Sequence, residues 1–279
     1  MHKKKINYAK ATKSYITLFI LFFIYSSAVR AKTVVSEKWQ PQHLTNGIAT
    51  GFPPYQFSQN SQASGFDADV ARLLIGRLST SFDFKQDQWD NIVNELRFNK
   101  IDLIVGMEVN EIRSRIFDFS IPYYYRHDEI FVLEKNQNIN QIDDLENQVI
   151  AGDRHSYIES LWKQQGTLYH YRIISTQSKE DSMQQLSSGK VMAAIMPNAV
   201  GLYLAKQLNI KVKTLENLDS GTPIAIAVKK GNQSLLNRTN STLKQLIIEG
   251  EIDKLYQKWF SESLPVIHKD TVIPTSIRK

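Results

Sequence analysis

The segment 101–105, Ile-Asp-Leu-Ile-Val, constrains this chain more than any other. It is too short for a helix and too continuously apolar for a strand with one wet face, so it is expected to lie inside a sheet covered on both sides. Helical patterns flank it. Val70, Leu73, Leu74 and Leu78 recur at i, i+3, i+4 and i+8, which gives an apolar stripe, and residues 89–98 repeat a shorter version. Gly65-Phe66-Asp67-Ala68-Asp69 opens the first of these helices, with Asp67 or Asp69 available as its cap. Residues 34–50 read as a lead-in and strand, stopped by the turn Gly51-Phe52-Pro53-Pro54-Tyr55.

The alternation resumes after Tyr125. Strands are expected at 130–134, 148–152 and 191–196, with helices from Ser156 and over 181–188. Residues 223–228, PIAIAV, read as a strand returning to the first half, followed by helices whose last face carries Ile252, Leu255, Tyr256 and Trp259. Such alternation predicts an α/β fold on largely parallel sheets, in two lobes. Crossings near 123–128 and 219–223 would leave a cleft that hinge motion closes. The expected boundaries are 32–124 with 224–264 for lobe I, 125–223 for lobe II with the hinge segments, and 265–279 for a C-terminal tail.

Residues 1–31 combine a basic start, an apolar run over 16–25 and a small-residue exit, Val29-Arg30-Ala31, the order of a secretory signal peptide. Six of the 34 basic residues lie there and none of the acids, leaving 28 of each sign in the mature part. Its formal charge is zero, and a nucleic-acid partner loses its electrostatic footing. The absence of cysteine excludes disulfides, thiolate metal sites and a lipidated cysteine, so the mature chain is expected to be soluble, in a bacterial periplasm.

Arg113, just beyond the 101–105 strand, is a permanently charged fork suited to a carboxylate. The ordered set Pro54-Tyr55-Gln56-Phe57, Gly65-Phe66-Asp67-Ala68-Asp69, Asp102 through Gly106-Met107, Arg113, Phe119-Ser120-Ile121-Pro122-Tyr123 and Lys258-Trp259-Phe260 resembles the bacterial extracellular solute-binding proteins of family 3, the periplasmic amino-acid receptors of ABC importers. The resemblance runs from about Ile48 to Phe260. It implies a periplasmic-binding-protein-like fold of type II, two α/β lobes joined by two crossover segments around an interlobe cleft. It also implies a monomer that needs no cofactor or metal and passes a small amino acid to an ABC permease or reports it to a membrane sensor.

The resemblance further implies roles for individual residues. Arg113 matches the arginine that grips the ligand α-carboxylate; Phe52 and Trp89 match aromatic walls, with Gly106 in the same site and Tyr55 packing in lobe I. Glu108 stands where many relatives have Thr or Ser; it can offset Arg113 or accept an ammonium or guanidinium group, which tilts the expected ligand toward a basic amino acid. Pro197-Asn198 replaces the aspartate that binds the α-ammonium, leaving Asn198 with one weaker hydrogen bond. His155-Ser156 sits where relatives place a helix start, and Ser156 would add backbone donors from lobe II. The plainer alternatives are an Arg113 ion pair with Glu108, Glu111 or Asp118, core packing for both aromatics, and helix capping for Ser156.

Enzyme readings fare worse. The sequence has no Gly-rich phosphate loop, no G-x-S-x-G, no H-E-x-x-H and no metal spacing among its six histidines. Some similar proteins are cyclohexadienyl or arogenate dehydratases that use an acid from the second lobe, but residues 191–207 contain no Asp or Glu.

Overall fold

The computed structural model describes residues 43–78, 81–152, 157–216, 219 and 221–264. The expected export signal, His155, Ser156 and the tail 265–279 lie outside them. From β1 (His43–Ala49) the chain forms a small antiparallel sheet of β2 (Gly51–Phe52), β3 (Gln56–Gln59) and β4 (Gln62–Ser64). Then come α1 (Phe66–Arg77), β5 (Ser81–Asp87), α2 (Trp89–Arg97), β6 (Leu103–Glu108), the single turn α3 (Glu111–Ser114), β7 (Phe117–Phe119) and β8 (Tyr124–Arg126). Only His127 separates β8 from β9 (Asp128–Leu133), where the chain enters the second sheet. There follow β10 (Val149–Gly152), α4 (Tyr157–Gln165), β11 (Arg172–Ser175), α5 (Lys179–Ser188), β12 (Ala193–Pro197), α6 (Asn198–Gln207) and β13 (Val212–Leu215). Strand β14 (Thr222–Lys229) returns to the first sheet, and α7 (Gln233–Ile248) and α8 (Glu251–Phe260) complete it.

Both sheets have the same plan. The first runs β5-β1-β6-β14-β7 and the second β11-β10-β12-β9-β13. In each, three parallel strands meet one reversed strand, β14 or β9. The reversed strand is the one arriving from the other lobe, which is why the sheets are mixed rather than largely parallel. The two crossing segments lie side by side, since β8 pairs with β14 through Arg126↔Thr222, Tyr125↔Pro223 and Tyr124↔Ile224.

Burial follows the apolar runs. Leu103, Ile104, Val105 and Met107 of β6 are inaccessible, as a strand with both faces covered requires. The strand begins at Leu103, and just before it Asp102 is tied to β1 twice, its N–H donating to the Thr45 carbonyl at 3.0 Å and its carboxylate accepting the Thr45 N–H at 2.7 Å. It extends to Glu108 because β14 follows it past a bulge between Ala225 and Ile226. The second lobe packs Ile130, Val132, Ile150, Ile158, Trp162 and Ile195 into its own cluster.

Candidate functional site

The β6 strand delivers Gly106 and Glu108 to the rim of the first sheet, and α3 turns Arg113 back over them. Asn110 Oδ1 caps that turn by accepting the Arg113 N–H at 2.9 Å. Arg113 Nη1 donates to the Glu108 carbonyl and to Glu108 Oε2, both at 3.2 Å. Its guanidinium carbon sits 5.4 Å from the centre of the Trp89 ring, at the start of α2. Its Nε and Nη2 make no hydrogen bond within the described residues.

The other oxygen of Glu108 faces a second guanidinium. Arg126 Nη1 lies 3.6 Å from Glu108 Oε1. From the end of β8, Arg126 Nη2 also donates to the Gly106 carbonyl at 2.8 Å, to the Tyr124 hydroxyl at 2.7 Å and to Asp67 Oδ2 at 3.3 Å. Its guanidinium carbon is 4.9 Å from the Phe52 ring centre and 4.6 Å from that of Tyr55, and these two rings stack 5.7 Å apart. The side chain is 5 % exposed, against 22 % for Arg113 and 35 % for Glu108.

Asp67 is fully buried and does not cap α1; the N-cap is Gly65, without a side-chain bond. The Asp67 carboxylate turns inward, accepting Gln56 Nε2 at 3.0 Å and the hydroxyls of Tyr123 and Tyr124 at 2.7 and 3.0 Å. Burial raises its pKa, opposed by the Arg126 charge and these hydrogen bonds. Burial likewise pushes the phenols of Tyr123 and Tyr124 well up. Asp69 instead binds Arg72, Lys258 and the Trp259 indole, tying α1 to α8. Gly106 is required where it stands: its φ is +92°, and a Cβ there would run into the Asp67 carboxylate and the Gln56 amide.

Five of the residues expected from the sequence, Trp89, Arg113, Glu108, Phe52 and Gly106, thus lie in one run of contacts, in which Arg126, not among them, links Glu108 and Gly106 to Phe52. The ion pair of Arg113 with Glu108, the plainer alternative, is present, and Glu108 is shared between two cations. Asn198 is exposed at the first turn of α6; its N–H donates to the His127 carbonyl at 2.9 Å, which places it beside the crossing, one residue from Arg126. Arg126 and Asp67 were missed. The available signal was a lone charge in apolar company: an arginine directly after Tyr123-Tyr124-Tyr125, and an aspartate between Phe66 and Ala68. Among the described residues no His, Asp and Glu cluster could hold a metal ion.

Two α/β lobes of equal strand order, joined by paired crossings beside a charged cluster, define a periplasmic-binding-protein-like fold of type II, with an interlobe cleft. The chain belongs to the bacterial extracellular solute-binding proteins, family 3, whose family model matches residues 44–262. It is 24 % identical to ABC transporter arginine-binding protein 1 of Escherichia coli (strain K12), over 79 % of this chain and 92 % of that one. It is 28 % identical to the L-cystine-binding protein TcyJ of Bacillus subtilis (strain 168), over 79 % and 84 %. Among solved structures, it is similar to an ancestral arginine-binding protein bound to arginine, with TM-score 0.71 and 33 % identity over 80 % of this chain and all of that one. An ancestral arginine-binding protein bound to glutamine gives TM-score 0.71 and 32 % identity over the same shares.

Proposed function

We propose that this protein is a periplasmic receptor that captures a small amino acid between its lobes and delivers it to an ABC transporter without chemical change. The observation that carries this reading is the Arg113 fork, held by Glu108 and stacked on Trp89, with Nε and Nη2 left for an incoming carboxylate. The names of the relatives, which bind arginine or cystine, support the ligand class. The absence of Asp and Glu from residues 191–207 supports binding over dehydration.

In this reading Arg113 takes the α-carboxylate and Glu108 the α-ammonium. Phe52 and Trp89 border the side chain, Gly106 lets the β6 backbone come close, and Ser156 and Asn198 add polar contacts from lobe II. A ligand touching both lobes favours the closed arrangement and so presents a new outer surface to the membrane partner.

A thermal-shift panel of the twenty amino acids on the purified protein tests the reading. A bound ligand at a hundredfold excess over its Kd should stabilise by about 2.7 kcal/mol. A panel in which no amino acid raises the melting temperature would remove this function.

A further inference from the structure

A cationic ligand side chain seeks a carboxylate and an aromatic face. This site has both, Glu108 Oε1 and the rings of Phe52 and Tyr55, and the protein's own guanidinium already uses them. Arg126 Nη1 faces that oxygen at 3.6 Å, and its guanidinium carbon lies 4.9 and 4.6 Å from the two ring centres. The group is anchored from behind by the Gly106 carbonyl, the Tyr124 hydroxyl and Asp67. A ligand cannot push it aside without stranding the buried Asp67 carboxylate.

The charges in direct contact with Arg113 and Arg126 are matched without another cation. Asp67 balances Arg126, while Arg113 and Glu108 can balance the two poles of one zwitterion. A further positive group on the ligand would meet two guanidinium groups that already share a single exposed carboxylate.

We propose that Arg126 is a specificity-determining residue: it closes the cation subsite from within, so that the amino acid taken carries an uncharged side chain. The proposal rests on the amino-acid reading above and reverses the tilt toward basic ligands that Glu108 alone suggests.

The test is calorimetric titration of the purified protein with glutamine, leucine, cystine, arginine and lysine. It is repeated on Arg126→Ser and on Arg126→Ser combined with Asp67→Asn, which keeps the buried charges matched if the single variant does not fold. Wild-type protein should bind at least one neutral amino acid about tenfold or more tightly than arginine and lysine. The variants should gain arginine affinity by a similar factor, and methylguanidinium alone should raise their melting temperature. Wild-type protein that binds arginine or lysine as tightly as any neutral amino acid overturns the proposal, and this readout needs no variant. So does a folded variant that binds amino acids but gains neither arginine affinity nor stability from methylguanidinium. If no amino acid binds wild-type protein while methylguanidinium stabilises the double variant, the amino-acid reading falls and the internal cation subsite stands.

Discussion

Glu108 holds Arg113 twice, through its carbonyl and through Oε2, each 3.2 Å from the same Nη1, so the backbone of one residue and its side chain together aim the guanidinium of the other. Because both side chains keep some contact with water, the pair contributes little to folding, up to about 1 kcal/mol. Arg113→Ala should therefore abolish ligand-induced thermal stabilisation while moving the ligand-free unfolding midpoint only slightly. An unfolded variant, or one that binds as before, would show Arg113 to be structural.

Arg126 behaves differently because its partner Asp67 is wholly buried. Arg126→Met should destabilise by about 3–5 kcal/mol, since it leaves a buried carboxylate without its counter-ion. Urea denaturation of the two proteins measures this directly; a change below about 1 kcal/mol would mean that the pair is not carried in the fold as described.

That same variant should be rescued by acid. Burial raises the Asp67 pKa and Arg126 opposes the rise, so removing Arg126 moves the folded value higher still above an unfolded value of about 3.9. With the folded value above the unfolded one, stability is retained below the unfolded value and lost as pH rises through the folded one. The gap between variant and wild type should narrow as pH falls from about 7 to about 5, and a gap that widens would contradict the assignment.

Gly106→Ala should cost about 3 kcal/mol or more, from the positive φ and the collision with Asp67 and Gln56. Circular dichroism melting would report it. A variant that melts with wild type would mean that β6 can shift away from Asp67 without loss.

The lobed α/β plan was legible in the sequence because buried strands announce themselves: residues 103–105, 130–133 and 224–228 are apolar on both faces, and those positions are buried. Strands β11 and β13 were not, because they are short sheet edges with mixed polarity, and nothing in Arg172–Ser175 or Val212–Leu215 separates them from loops. The pairing of Arg113 with Glu108 was open to inspection, since they lie five positions apart and a turn brings them together.

By itself the sequence determined the fold class and put an arginine and a glutamate at the end of β6, because apolar period and local turn geometry act over a few residues. Only the tertiary structure decided what charge the site offers. Asp67 and Arg126 are 59 positions apart, and neither one's neighbours in sequence foretell that both are buried against each other. Their meeting depends on α1 and the first crossing packing on the same end of β6, and a buried ion pair forms only where such packing excludes water from both charges.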